Sequence, residues 1–471
     1  MEFLDLPLEL LSQILSHLTK VQHVASACRV SKAFYEFGIS RLYERASIYS
    51  WHKHAKVRVI SLFNTLAHHP RLAKYVVRLE IRDFPKVSKA LGTGDVEELV
   101  LNALRNCVNL RSCTWTRDGA INSAILEVLQ TIDTLVDLEI NGHSDGHYDP
   151  SILKSFSHLR RISLIMPSAD VVGQLRSWTA QTGSHLRSLT LICKTSPLVT
   201  DSILAGIVPN LPELEQFSVT GCLRVTEQGV WSILASNTSG LCSLALEGLN
   251  SKFDHAALSA RCATNPAVLA RLQSFTMSVH NDVWLQSVTS LLKLAPSLEI
   301  VQLYAADPHE STFRRPTVAN DAFWHDFVST HGARLTRVSV HRMSISLSAI
   351  REICMRCLVL KQLYVVVDPS ALDALAERLS CSRSLSAVHI NFPTVAMEEW
   401  IDEVPVVLRA PDALAIVRRC PDTITLFGCN ARVWQVERQV VRDDSGELVV
   451  ERYLTGYESP DIPEQFLVVR T

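Results

Sequence analysis

The chain has 471 residues, of which 47% are hydrophobic, enough for several ordinary domains or for one elongated array with a small appendage, and too many for extensive disorder. Lys plus Arg number 46 against 48 Asp plus Glu, a balance that argues against a general nucleic-acid or membrane-surface binder. Twelve scattered Cys, an acidic start with no basic n-region and no apolar run near the ~20 residues of a membrane helix point to a cytoplasmic or nuclear protein with reduced thiols.

From Leu6 the sequence reads L-P-L-E-L-L-S-Q-I-L-S-H-L. Pro7 suits a first helical turn, and Leu10, Leu11, Ile14, Leu15 and Leu18 recur at helical spacing, which predicts an amphipathic helix with a wide apolar face. A second helical segment is expected over about Val21 to Phe37, carrying Val24, Ala27, Val30 and Phe34, before Leu42 and Tyr43 close the unit. Some forty residues seldom bury enough surface to fold alone, so this unit needs the rest of the chain or another protein.

Leu6-Pro7, the Ile14-Leu15 pair, Val24, the run Val30-Ser31-Lys32-x-Phe34 and the closing Leu42-Tyr43 resemble the F-box, and Leu11 and Leu18 join them as expected adaptor contacts. Ser31-Lys32 stand where that family more often has Cys-Arg, and Phe34 and Tyr43 where it more often has Trp; the aromatic character is kept. The resemblance covers about a tenth of the chain and implies that these side chains dock on the Skp-type adaptor of a cullin-based ubiquitin ligase. Leu and Ile side chains worth ~1.5–3 kcal/mol each on burial would anchor such a helix in a partner groove. The alternative is that they cap the array behind them.

Residues 48–75 read as a helical linker and first repeat helix, with Trp51, Val59, Ile60, Phe63 and Leu66 apolar and the His68-His69 pair before Pro70 at the helix end. From Val76 a strand signature recurs: apolar, two others, apolar, one other, apolar. It begins at Val76, Leu110, Leu135, Leu159, Leu186, Leu214, Leu241, Leu272, Leu298, Leu335, Leu360 and Leu385. Most starts lie roughly 24 to 31 residues apart, the period of leucine-rich repeats with a helix on the outer side. The unit from Leu214 passes from a two-residue to a helical period and, with Cys222, resembles the cysteine-containing repeat subtype. The unit from Leu186 resembles it more loosely, with Lys194 at the matching place.

The longer gaps after Val76 and Leu298 hold inserted segments; the second is the polar loop Asp307 to Pro316, leading to a helix near Phe323 and Trp324. A helix is expected over Ala413 to Arg418 and a last strand over Thr423 to Phe427. Arg432 to Val441 and Glu447 to Tyr453 then flank Asp443-Asp444-Ser445-Gly446, a hairpin that would stack on the final repeat and shield its open apolar end. The fold expected is α/β: an all-helical F-box (1–47), the linker (48–75), a leucine-rich-repeat solenoid of about twelve repeats with a parallel concave sheet and outer helices (76–430), and a hairpin cap and tail (431–471).

Sequence motifs for bond chemistry are lacking. There is no phosphate loop, zinc-protease helix or Gly-x-Ser-x-Gly elbow, and Gly92-Thr93-Gly94 reads as a turn. Cys354 and Cys357 form a lone CxxC without a second pair at zinc spacing. His143, Asp145, His147 and Asp149 crowd one loop and could hold a metal, although a solvated loop is the commoner arrangement. The expectation is a chain without catalytic residues, metal or cofactor.

Alternation along each strand places Arg78, Glu80, Arg82, Asp137, Glu139 and Arg161 on the concave face, then a bland middle, then Gln302, Tyr304, Arg337, His341, Gln362, Tyr364 and His389. Tyr304, Arg337, His341, Tyr364 and His389 combine residue types enriched at binding hot spots and are the expected substrate contacts. Together with the F-box resemblance this implies a substrate receptor with three partners: a Skp-type adaptor, through it a cullin, and a protein substrate. The alternatives are a leucine-rich scaffold unrelated to ubiquitylation and a metal enzyme built on the His-rich loop.

Overall fold

The computed structural model describes residues 7–18, 20–85, 93–237, 239–306, 316–393, 407–442 and 445–457. These fall into two compact units, one formed mainly by the chain up to Arg224 and the other mainly by Gly240 to Tyr457.

The first unit opens with three helices, α1 (Glu9–Ser16), α2 (Val21–Ala27) and α3 (Lys32–Glu44). The single helix expected over Val21 to Phe37 is broken, because the chain turns at Cys28 to Val30 and Ser31 then restarts it. Ser31 is extended (φ −157°) and its hydroxyl accepts the Phe34 backbone N–H, an N-cap that Val30-Ser31-Lys32 encodes locally. Leu42 and Tyr43 lie in the last turn of α3, which runs on past Phe37 and ends the helical unit.

Seven strands follow in chain order: β1 (Arg45–Ile48), β2 (Arg78–Ile81), β3 (Ser112–Trp115), β4 (Asp137–Asn141), β5 (Arg161–Ile165), β6 (Ser188–Thr200) and β7 (Gln216–Arg224). Each pairs in parallel with the next. The first of these was not expected. β1 aligns Ala46 with Leu79 and Ile48 with Ile81, so Tyr43, Ala46 and Ile48 repeat the strand signature, disguised by a Tyr and an Ala.

The second unit contains β8 (Ser243–Glu247), β9 (Ser274–Val279), β10 (Ile300–Ala305), β11 (Arg337–Ser344), β12 (Gln362–Val366), β13 (Ala387–Asn391) and β14 (Leu426–Cys429), again parallel in chain order. β15 (Arg432–Arg442) and β16 (Leu448–Gly456) form the expected hairpin. It covers the last repeat by extending its sheet, with Trp434 stacked on Phe427. It pairs antiparallel with β14 edge to edge, so it occupies the ladder N–H and C=O groups that an end strand leaves open. Arg452 also donates to the carbonyls of Arg418 and Cys420 at the end of the last repeat helix.

In the twelve units from Val76 to Leu385 every signature side chain is buried, none more than 4% exposed. They face the helices, and the alternate residues of each strand form the open face of the sheet. Most helices after these strands start on a side-chain cap: Asn122 to Ile125 N–H, Thr200 to Ile203, Asp254 to Ala257, Asn281 to Trp284, Thr317 to Asn320 and Ser346 to Ala349. In the first unit Phe63 stacks on Trp115 at 5.7 Å, joining a helix expected from sequence to the second signature strand. The architecture is that of a leucine-rich-repeat array: one short parallel strand, a turn, a capped helix, repeated.

Three local expectations change. Thr93 and Gly94 begin a helix, Thr93–Asn106, and are not a turn; Gly92 lies outside the described residues, as do 307–315 of the inserted loop. The Leu186 unit has a cysteine beside Lys194: Cys193 and Cys222 are hydrogen-bonded thiols, 1% and 0% exposed, although the irregular register of β6 pairs Cys222 with Ser196. The last repeat strand begins at Leu426, not Thr423.

Candidate functional site

The helical module closes a small core of its own. Leu11, Leu15, Val24 and Ile39 are 2–6% exposed, and Gly38 is needed there because a Cβ would stand 2.7 Å from Cys28 Sγ and 3.6 Å from Leu15. Of the residues expected to meet an adaptor, Leu11, Leu15 and Val24 are thus internal. Leu18, Phe34, Leu42 and Tyr43 are half-buried, Pro7 is exposed, and Leu6 lies outside the described residues. Ile14 (38%) and Val30 (69%) are the two apolar members left open, and the structure adds Leu8, Leu10, Val21 and Tyr35, each at least 37% exposed. Helical periodicity alone could not rank them, since α1 is apolar on more than one face. On its other side α1 turns Ser12 and Ser16 into a cleft of about 630 Å³, shared with Arg41, Glu44, Lys74 and Arg111.

On the open face of the first unit, charges are paired. Arg45 lies 2.7 Å from Glu80, which also accepts the Tyr49 hydroxyl at 2.7 Å; Arg82 meets Glu139 at 3.1 Å, and Arg161 lies 3.9 Å from Asp137. Burial raises the Glu139 carboxyl, and Arg82 opposes that shift. Arg45 and Tyr49 belong to the strand missed from sequence and its following turn.

In the second unit the expected substrate contacts do meet, as a packed stack. Tyr304 lies flat on His341 (4.5 Å, 10°), Tyr364 meets His341 at 6.4 Å and His389 edge-on at 6.2 Å, and the Arg337 guanidinium sits 5.5 Å from the Tyr364 centroid. Tyr304, Arg337, His341 and Tyr364 are 6–8% exposed and His389 only 2%. Neighbouring strands are too close for bulky rings to stand apart, so these side chains line the open face with their rings covering one another. His389 is withdrawn furthest. Its Nε2 lies 3.0 Å from the Asn430 carbonyl, and its ring occupies the place a Cβ on Gly428 would take.

Burial pushes the His341 imidazole down to about 4, helped by His389, Arg337 and Arg342, so the stack is neutral at its centre near pH 7. Beside it, burial raises the Glu247 carboxyl to about 7 against the pull of Arg342. Glu247 and Ser339 were missed, though plain alternation from Ala245 and Arg337 points to both. Ser339 is 0% exposed, under the stack.

The lone CxxC is shielded from solvent. Cys354 and Cys357 are buried, and burial raises both thiols, Cys357 to about 12. In the His-rich loop, Asp149 holds Ser151 through its N–H and hydroxyl (2.8 and 2.6 Å) and turns away from the imidazoles. His143 and His147 instead approach Asp118 of the preceding repeat, a residue sequence spacing did not suggest. All twelve cysteines are free, and among the described residues no helix is long and apolar enough to cross a membrane.

The geometry defines a repeat protein whose strands are preceded in the chain by a small three-helix module. Residues 3–49 match the F-box-like family model. An F-box-like match at the start of the chain thus precedes an array with the architecture of leucine-rich repeats. No curated protein matches the sequence. Among solved structures it is similar to a chain of the Rad7 and Elc1 complex in yeast (14% identity, TM-score 0.41, covering 81% of this chain and 88% of that one). It is also similar to the leucine-rich repeat-containing protein LegL7 from Legionella pneumophila (13%, TM-score 0.36, 64% and 88%). A third similarity is to TLR13 in its complex with ssRNA13 (13%, TM-score 0.36), of which the match spans 46% against 68% of this chain.

Proposed function

We propose that this chain is a non-catalytic substrate-recognition subunit of a cullin-type ubiquitin ligase. The F-box-like module docks on a Skp-type adaptor, and the open sheet face receives a protein substrate. The observation that carries this reading is that the module keeps Leu8, Leu10, Ile14, Val21 and Val30 37–69% exposed although its own core is already closed by Leu11, Leu15 and Val24. Apolar side chains that are not needed inside and cost about 1.5–3 kcal/mol each to leave in water fit a partner groove. On the substrate side, Tyr304, Arg337, His341 and Tyr364 offer a rigid floor whose rotamers are already ordered, with His389 as its support.

The test is copurification of the full chain with a recombinant Skp-type adaptor. Wild type should bind, and Ile14→Asp should lower affinity at least tenfold without unfolding the protein. Absence of binding by the wild type, or binding indifferent to Ile14→Asp and Leu10→Asp, would leave a leucine-rich scaffold with no link to ubiquitylation.

A further inference from the structure

We propose that the turns after β3 and β4 form a binding site for one divalent transition-metal cation of the zinc class, with Asp118, His143 and His147 as ligands. The ligand atoms of the three lie within 4.8 Å of one another. His143 Nδ1 is 2.9 Å from Asp118 Oδ1. Bonds of roughly 2.0–2.1 Å in a tetrahedron put ligand atoms about 3.3 Å apart, so the short edge opens by a few tenths of an ångström and the longest closes by at most about 1.5 Å. Side-chain rotation supplies this, because the Asp118 and His143 side chains are 62% and 44% exposed.

The backbone beneath is fixed. Asn141, 4% exposed, accepts the His143 N–H at 2.9 Å and donates to the Thr116 carbonyl at 3.2 Å, tying the two turns together. Tyr148, 6% exposed, donates to the Asn141 carbonyl, and Ser144, 3% exposed, shares a hydrogen bond with Ser168. Gly119 (φ +68°) leaves room for His147, whose Cε1 would lie 3.0 Å from an added Cβ. With Nδ1 facing the cation, His143 Nε2 points toward Asp145 Oδ2 at 4.0 Å, longer than a hydrogen bond but near enough for a carboxylate rotation to make one. Two imidazoles and a carboxylate favour zinc, cobalt or nickel over the oxygen-seeking calcium and magnesium. The cation would clip consecutive repeats, a role independent of adaptor binding.

The experiment uses the full chain without an affinity tag, dialysed free of metal and titrated with Co²⁺ and then Zn²⁺. The expected result is one saturable Co²⁺ equivalent with a d–d spectrum lacking thiolate charge-transfer absorption, displaced by Zn²⁺. Asp118→Asn, His143→Ala and His147→Ala should each weaken it at least tenfold while leaving the circular dichroism spectrum unchanged. No saturable uptake at about 100 μM metal, a thiolate band from one of the cysteines, or an equivalent retained by the His143→Ala/His147→Ala double variant would overturn the proposal.

Discussion

At the scale of single residues, Leu15 is 2% exposed and its neighbour Ile14 38%, because one side of α1 seals the helical module against Val24 and Gly38 while the next faces water. Leu15→Asp would bury an unpaired carboxylate and cost several kcal/mol, melting the module. Ile14→Asp should change stability by no more than about 0.5 kcal/mol. Thermal unfolding of the two variants side by side checks this, and equal losses would contradict it.

The second unit also buries four imidazoles, His255, His331, His341 and His389, each pushed down to about 4, chiefly by loss of water. An unfolded histidine takes up its proton near pH 6.5. The stability these groups contribute is therefore complete above about pH 6.5 and is lost as pH falls toward 4, by up to roughly 3 kcal/mol for each. Glu247, raised to about 7, acts in the opposite sense and offsets about one of the four. The urea midpoint should fall steeply between pH 7 and 5, and less steeply in His331→Met. A midpoint that does not move over that range would refute the assignment of buried neutral histidines.

At the scale of the repeat element, a polar side chain just before a strand donates to the carbonyl of the first signature residue one repeat earlier. Thr134 serves Leu110 (2.8 Å), Thr182 serves Leu159 (3.0 Å), Asn237 serves Leu214, Ser384 serves Leu360 (2.9 Å) and Thr423 serves Leu385 (2.6 Å). Thr182 is 0% exposed, so the near-isosteric Thr182→Val would strand a buried carbonyl and cost about 1–3 kcal/mol in urea unfolding. A variant as stable as wild type would mean that water replaces the hydroxyl. These ties were not legible beforehand. The signature Leu is visible as an i, i+3, i+5 pattern, but its carbonyl partner is one residue before the next signature in one repeat and four in another, and only the folded turn brings it into place.

At the scale of the whole molecule, the hairpin matters most for what it covers. A chain ending at Asn430 would expose the β14 edge and uncover Phe427, which stacks on Trp434 at 6.3 Å. Such a truncation should elute as soluble aggregates in size-exclusion chromatography where the full chain elutes as a single species. A monodisperse truncated protein would show that the edge needs no cover.

The array itself follows from the sequence alone, because a two-residue apolar period passing into a helical one is a local pattern and local geometry answers it. The same holds for the hairpin and the apolar character of α1, whereas the Ser31 cap that divides α2 from α3 was encoded locally but not expected. Which leucines of α1 remain in water, whether the rings on the open face stand free or cover one another, and the meeting of Asp118 with two histidines about 25 residues later depend on neighbours supplied by the next repeat. Those contacts come from packing, and the tertiary structure alone decides them.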